Sequence, residues 1–354
     1  MIELGPIAIL GVGFLVILLG AELFTNGIEW VGRKLDLAEG AVGSVLAAVG
    51  TALPETMIPL VAILFGGAVT ADEVGLGAIL GAPFMLSTLA MFVTGVAVIL
   101  YRTRRSTGTF LAIDPTVVGK DVRFFAIAFT LAIGTAFVPL EWSFARPLAA
   151  VALVSLYALY VRAHFRAEQA VGDAADLAPL RFHRLDRPGH RADPVAPRLR
   201  IVGVQVFVAL GCIVGGAVVF VDAVTQLSAG LGIGPAVLAL VIAPVATELP
   251  EKFNSWLWVR QGKDTLAIGN ITGAMVFQAC LPTVVALLFA PEQWVIGQGS
   301  YLVFLSAGIA FAATAAIFLP MARRGRLTGR GLLVGGLFYA GYLAAVLVAV
   351  GGGA

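Results

Sequence analysis

Apolar residues fill long runs of the chain, and charged or proline-rich clusters separate them. A run near the roughly 20 residues needed to cross a hydrocarbon core predicts a membrane helix. Ten such runs are expected, at 6–24, 40–67, 75–101, 122–140, 143–163, 200–224, 232–259, 265–290, 297–320 and 329–350. The second and seventh are long for simple spans. The fourth and fifth are separated only by Glu141 and Trp142. The predicted fold class is an all-α membrane protein of ten transmembrane helices.

Composition excludes a water-soluble alternative. Of 354 residues, 59% are hydrophobic and 12% charged, and the mean hydropathy is +0.97. A soluble domain carries about 25% charged residues. Charge also orients the helices, because Lys and Arg accumulate in cytoplasmic loops. With the N-terminus outside, the inner loops hold Arg33 and Lys34; Arg102, Arg104, Arg105, Lys120 and Arg123; the Arg-rich stretch from Arg162 to Arg200; Arg260 and Lys263; and Arg323, Arg324, Arg326 and Arg330. The outer loops hold Asp72–Glu73, Glu141–Arg146, Ser228–Gly230 and Glu292, so Arg146 is the one loop charge on the wrong side. Both termini are expected outside. The first segment lacks a basic leader and a small-residue cleavage site, and is expected to be a retained helix.

Cys212 and Cys280 lie within apolar runs and read as small packing residues. Residues 164–199 are polar and proline-containing and are expected to form a mobile cytoplasmic linker between residues 1–163 and 200–354. That linker carries the histidines His164, His183 and His190, without the Cys or carboxylate clustering that metal sensing needs. Glu22, Asn26 and Asp222 sit near span ends, as solvated helix termini or as the lining of a vestibule. Trp30, Trp142, Trp256, Trp258 and Trp294 suit interfacial aromatic belts.

The two large segments repeat one another. Thr51-Ala52-Leu53-Pro54-Glu55 aligns with Thr247-Glu248-Leu249-Pro250-Glu251 at a constant offset, 247 − 51 = 196, which also brings Gly20-Ala21 onto Gly216-Ala217 and Phe24 onto Phe220. Five spans per half is an odd number, so the halves must lie in opposite orientations. Inverted repeats of this kind place substrate sites near the midplane, between broken helices.

Charges at membrane depth cost roughly 2.5–3.5 kcal/mol each and persist mainly where they work or pair. Glu55 lies in the second run, and Glu248, Glu251 and Lys252 in the seventh. Internal salt bridges are the alternative reading, strongest for Glu248 and Lys252, which are spaced i,i+4 on one helix face. Pro54 and Pro250 each lack an N–H and displace the carbonyl four residues back, Gly50 and Ala246, predicting proline-broken helices 2 and 7. Pro59 and Pro244 add further breaks. Thr51 and Thr247 lie i,i+4 from Glu55 and Glu251, so hydroxyl and carboxylate share a face. Carbonyl, hydroxyl and carboxylate oxygens suit hard cations.

GTALPE at 50–55 and ATELPE at 246–251 resemble the paired G-T-S-L-P-E signatures of the sodium/calcium exchanger family, the cation/calcium antiporters of prokaryotic type. GNITGAMVFQ at 269–278 resembles that family's second-half G-N-x-x-G-S-N-I-F-N/D segment. The resemblance implies that Glu55 and Glu251 are the central paired ligands. It further implies that Thr51 and Thr247 contribute hydroxyl or carbonyl oxygens; beside these, the candidate ligand set takes in Glu248, Asn270, Gln278 and the Gly50 and Ala246 carbonyls. It departs from the family where Ala82, Leu86 and Ala274 replace polar ligands, where Ala52 replaces a serine, and where Gln278 replaces Asn or Asp.

The expected function is therefore a secondary antiporter exchanging a cation, Ca2+ foremost, for Na+ or H+ in a prokaryotic plasma membrane. A proton-coupled exchanger without sodium dependence is the runner-up, and a passive cation channel a weaker third. An enzyme is not expected: no nucleophile has a base partner, and there is no H-E-x-x-H zinc pattern. No cofactor or nucleic-acid partner is expected, only membrane lipid and the transported cations. Lys252 is expected to pair with Glu248.

Overall fold

The computed structural model describes residues 4–34, 53–65, 69–167, 178–185, 197–231, 240, 248–297 and 300–351. Twelve helices follow in order: α1 (Leu4–Lys34), α2 (Leu53–Phe65), α3 (Val69–Met85), α4 (Met91–Leu100), α5 (Pro115–Gly134), α6 (Ala145–Ala167), α7 (Leu199–Leu231), α8 (Leu249–Arg260), α9 (Asp264–Phe289), α10 (Tyr301–Arg324), α11 (Gly329–Leu332) and α12 (Val334–Gly351). A two-residue antiparallel ribbon, β1 (Phe110–Leu111) with β2 (Leu327–Thr328), closes one end. Among the described residues, seven apolar stretches are long enough to cross a membrane, including Gly5–Phe24, Leu199–Gly230 and Asp264–Phe289.

Helix boundaries differ from the hydropathy reading where charge hides a helix. The run expected at 122–140 is α5, which begins seven residues earlier. Asp114 caps it, its carboxylate accepting from the Thr116 and Val117 amides at 2.7 and 3.4 Å, with Pro115 in the first turn. Lys120, Asp121 and Arg123 in that first half lowered the apparent hydropathy. The turn after Gly134 separates α5 from α6, so these are two helices, not one.

α9 is the centre of the bundle, buried on all sides and in contact with α2, α3, α5, α6 and α8. Helices apolar around their whole circumference belong in such a position. α3 runs through Pro83 into a π-helical stretch, Leu86–Ala90, before α4. Here the Ser87 and Thr88 hydroxyls donate back to the Phe84 carbonyl at 3.0 and 2.6 Å, satisfying backbone that the wide turn leaves open.

α1 and α7 pack antiparallel along their lengths. Their backbones meet where small residues allow it: a Cβ on Gly20 would lie 2.8 Å from Ile213 Cγ1 and 3.0 Å from the Ala209 carbonyl, and one on Gly216 would lie 2.9 Å from the Gly13 carbonyl.

Part of the linker packs on the helices. Residues 178–185 lie in the groove between α1 and α7, with Leu180 buried beside Trp30 and Val202. The Ala178 carbonyl accepts from Trp30 Nε1 at 3.0 Å, the Arg181 amide donates to Asn26 Oδ1 at 3.0 Å, and the Phe182 amide to Gln205 Oε1 at 2.8 Å. Asn26 is therefore a structural anchor rather than a vestibule residue. Glu22 pairs with Arg181 at 2.7 Å in solvent, and Asp222 accepts from Gln226 at 2.8 Å. Trp30 and Trp294 are likewise buried, not interfacial, the Trp294 indole donating to the Ala132 carbonyl at 3.0 Å. Arg146 is buried too and donates to the Val138 and Trp294 carbonyls at 3.2 and 3.4 Å, which accounts for a cation that breaks the loop-charge pattern. His164 belongs to α6, not to the linker.

A buried ion pair joins the segment after α4 to the start of α9. Arg105 grips Asp264 with two bonds, Nη1–Oδ1 at 2.8 Å and Nη2–Oδ2 at 2.6 Å, and also donates to the Val259 carbonyl at 2.6 Å and the Phe110 carbonyl at 3.0 Å. The Ala112 amide adds a bond to Asp264 Oδ2 at 2.7 Å. Breaking one side of such a pair strands a buried charge, at a cost of about 3–5 kcal/mol. Arg105→Met is therefore expected to lower the thermal unfolding midpoint far more than Arg104→Met, whose side chain is exposed. Equal midpoints for the two variants would refute the role assigned to this pair.

Candidate functional site

α8 starts inside the bundle. Glu248 is its N-cap residue, fully buried, and Pro250 lies in the first turn, where a missing N–H breaks no helical bond. The proline thus opens the helix instead of kinking it. Lys252 reaches back one turn, its Nζ 2.9 Å from Glu248 Oε2, with both side chains buried. The expected i,i+4 pairing is the one observed. Tyr339 of α12 stands within electrostatic reach of Glu248. The Ser255 hydroxyl, further along α8, donates to the Ala267 carbonyl of α9 at 3.0 Å and ties the two helices together.

α9 brings Asn270 and Gln278 into the interior, both almost fully buried. Neither Nδ2 nor Oδ1 of Asn270 bonds to any group among the described residues. A buried amide of that kind costs about 1–3 kcal/mol unless something partners it. An ion or its bound water would supply the acceptor and donor that the protein withholds. The positions that lost polar ligands are equally buried and apolar: Ala82 on α3, Leu86 at the start of the π-helical stretch, and Ala274 on α9.

Gly50, Thr51, Ala246 and Thr247 lie outside the described residues. Glu55 falls in the first turns of α2 and Glu251 in the first turn of α8, with side chains outside the described set. α2 packs against α9, so the two Leu-Pro-Glu helices both adjoin the helix that carries Asn270 and Gln278.

One polar group escaped the sequence reading. Asp121 of α5, Tyr160 and His164 of α6 and Thr272 of α9 meet in a buried cluster. A Tyr-x-x-x-His spacing on an apolar helix and an aspartate inside another were the signals available.

Helices that carry buried charge and start or widen inside an apolar bundle suit a membrane ion transporter. The model of the family "Sodium/calcium exchanger protein" matches residues 5–165 and 202–351, and the chain belongs to that family. CaxA, an antiporter candidate from Alkalimonas amylolytica, is 24% identical over 319 residues, 89% of each chain. An uncharacterised membrane protein of Methanocaldococcus jannaschii is 37% identical over 71 residues, 20% of this chain and 24% of its own. Among solved structures, the H+/Ca2+ exchanger CAX superposes with a TM-score of 0.75 at 17% identity, covering 96% of this chain and 82% of that one. The sodium-calcium exchanger NCX_Mj gives 0.59 at 16% identity, covering 96% and 97%.

Proposed function

We propose that the protein exchanges a cation, Ca2+ foremost, against protons or Na+ by alternating access. In this reading ten spans form two inverted five-helix halves in a prokaryotic plasma membrane, with both termini outside. Glu55 and Glu251 face one another at the centre and neutralise a divalent ion. Thr51, Thr247, Asn270, Gln278 and the Gly50 and Ala246 carbonyls complete its oxygen shell. Glu248 is held by Lys252 and contributes charge balance rather than direct coordination.

The observation that carries this reading is the buried Asn270 amide, which has no hydrogen-bond partner among the described residues and lies on α9, the helix that adjoins both Leu-Pro-Glu helices. The placement of both motifs in helices supports the repeat: Leu53-Pro54-Glu55 lies in α2 and Leu249-Pro250-Glu251 in α8.

The counter-ion follows from what is missing. Ala82, Leu86 and Ala274 offer no oxygen, so sites for several sodium ions are depleted, whereas a proton needs only a carboxylate. Proteoliposomes loaded with Ca2+ decide the matter. An imposed proton gradient should drive release well, and a sodium gradient with the proton gradient collapsed should drive it weakly. Steep sodium dependence, with several ions per cycle, would contradict the assignment.

A further inference from the structure

Basic side chains gather at the end of the bundle that the β1–β2 ribbon closes. Three segments meet there. The Trp256 indole of α8 donates to the Tyr101 hydroxyl, just past α4, at 3.1 Å. Arg105 reaches the Val259 carbonyl and Asp264, which joins the stretch after α4 to the turn between α8 and α9. The ribbon pairs Phe110 with Thr328 and Leu111 with Leu327, and the Gly329 amide donates to the Thr109 carbonyl at 2.9 Å. Each segment presents an exposed pair of cations: Arg102 and Arg104, Arg260 and Lys263, Arg326 and Arg330.

Charge at this end is unbalanced. Residues 101–114, 256–266 and 321–332 include two carboxylates, Asp114 and Asp264. Asp264 is buried against Arg105, and Asp114 caps α5. None of the exposed pairs makes a side-chain hydrogen bond or ion pair among the described residues. The buried cation of the region is neutralised within the chain, and the exposed ones are left to an outside partner.

Apolar side chains share this surface. Leu100 is 61% exposed, Phe110 44% and Leu266 38%. The Arg326 guanidinium lies 5.7 Å from the centre of the Phe110 ring, over its face. Four of the membrane-length stretches begin or end here: Val74–Leu100, Asp264–Phe289, Tyr301–Arg323 and Gly329–Ala349. This end therefore lies at headgroup depth. The bias of Lys and Arg toward cytoplasmic loops puts cations in each segment separately. It does not require that they share one surface with exposed apolar groups. Water and small ions satisfy the guanidinium groups but leave Leu100 and Phe110 wet. A lipid with an anionic headgroup satisfies both, because arginine binds phosphate oxygens in pairs and acyl chains cover apolar side chains.

We propose that this surface is a binding site for an anionic phospholipid, with Arg102, Arg104, Arg326 and Arg330 on its phosphate and Leu100 and Phe110 against its acyl chains. The lipid bridges the segment after α4 to the segment around β2 and so braces the neighbouring Arg105–Asp264 joint. The site does not rest on the exchange reading.

Native mass spectrometry of the full-length protein tests it. The protein, stripped of lipid in a neutral detergent, is titrated with phosphatidylglycerol or with phosphatidylcholine of the same acyl chains. The parent should retain phosphatidylglycerol the more tightly. One arginine near an anionic membrane surface changes association by about fivefold. Combined Arg102→Gln, Arg104→Gln, Arg326→Gln and Arg330→Gln should therefore abolish the preference. Arg123→Gln with Arg162→Gln, which removes exposed cations of α5 and α6, should keep it. Equal retention of the two lipids by the parent, an undiminished preference in the fourfold variant, or the same loss in the α5–α6 control overturns the site. If the fourfold variant does not fold, the single changes serve: each should weaken retention about fivefold, and four unaffected singles overturn the site equally.

Two further readouts fix the source of the phosphate and the consequence of binding. Inorganic phosphate or pyrophosphate, at the same phosphate concentration, should not displace the lipid. Displacement would make this a site for a soluble anion and overturn the lipid assignment. Phosphatidylglycerol should raise the thermal unfolding midpoint of the parent and leave that of the arginine variants nearly unmoved. An equal rise in both would overturn the bracing role.

Discussion

Glu55→Gln and Glu251→Gln are each expected to abolish exchange while leaving a folded, inserted protein. Gln keeps the volume and one carbonyl oxygen of Glu but removes the charge, and a divalent ion between two carboxylates then meets only one. In a site shielded from water, that lost charge is not replaced by solvent. Truncating one partner of a buried charge pair costs about 2–5 kcal/mol, a loss of about thirtyfold or more in ion binding. The packing role of each residue is preserved, so size-exclusion profile and helical content should match the parent. Near-normal Ca2+ uptake into proteoliposomes by both single variants would remove these glutamates from the site.

The second large effect concerns Lys252. With its ammonium 2.9 Å from Glu248 and both groups buried, Lys252 gives way in Lys252→Met to a side chain that no longer balances the Glu248 carboxylate. Loss of one buried partner costs about 3–5 kcal/mol, whereas removing both is often close to neutral. Lys252→Met alone should lower the thermal midpoint and distort the pH dependence of flux, since one of two opposite buried charges is gone. Adding Glu248→Gln should restore most of both properties. A double variant no better than the single one would mean that the pair does not act as a unit. Neither change touches Glu251, so recovery of flux in the double variant would also separate Glu248 from direct coordination.

Much of this was legible beforehand, for definable reasons. Lipid demands long apolar helices, so α1, α7, α9, α10 and α12 appear as hydropathy runs. The Glu248–Lys252 pair was readable because it is local: i,i+4 spacing on one helix fixes the partner without knowledge of the fold. Pro250 announced a break, though not that the break would be a helix start with Glu248 as its cap. α5 was displaced because hydropathy averages over Lys120, Asp121 and Arg123 and cannot tell a solvated charge from a buried one. Trp30 and Trp294 were misplaced on the same ground: composition shows an amphipathic ring, and only packing shows whether its N–H meets headgroups or a carbonyl.

By itself the sequence determined that this is a membrane protein with a duplicated T-x-L-P-E motif in the sodium/calcium exchanger family, because solvent and motif act through composition and short-range spacing. The tertiary structure alone decided which distant groups meet. Arg105 and Asp264 are 159 positions apart, Asp121 and Thr272 are 151 apart, and Ala178 in the linker is 152 from Asn26. No periodicity encodes such pairs. They arise because a buried donor or charge in lipid must find its complement wherever the helices bring one within reach.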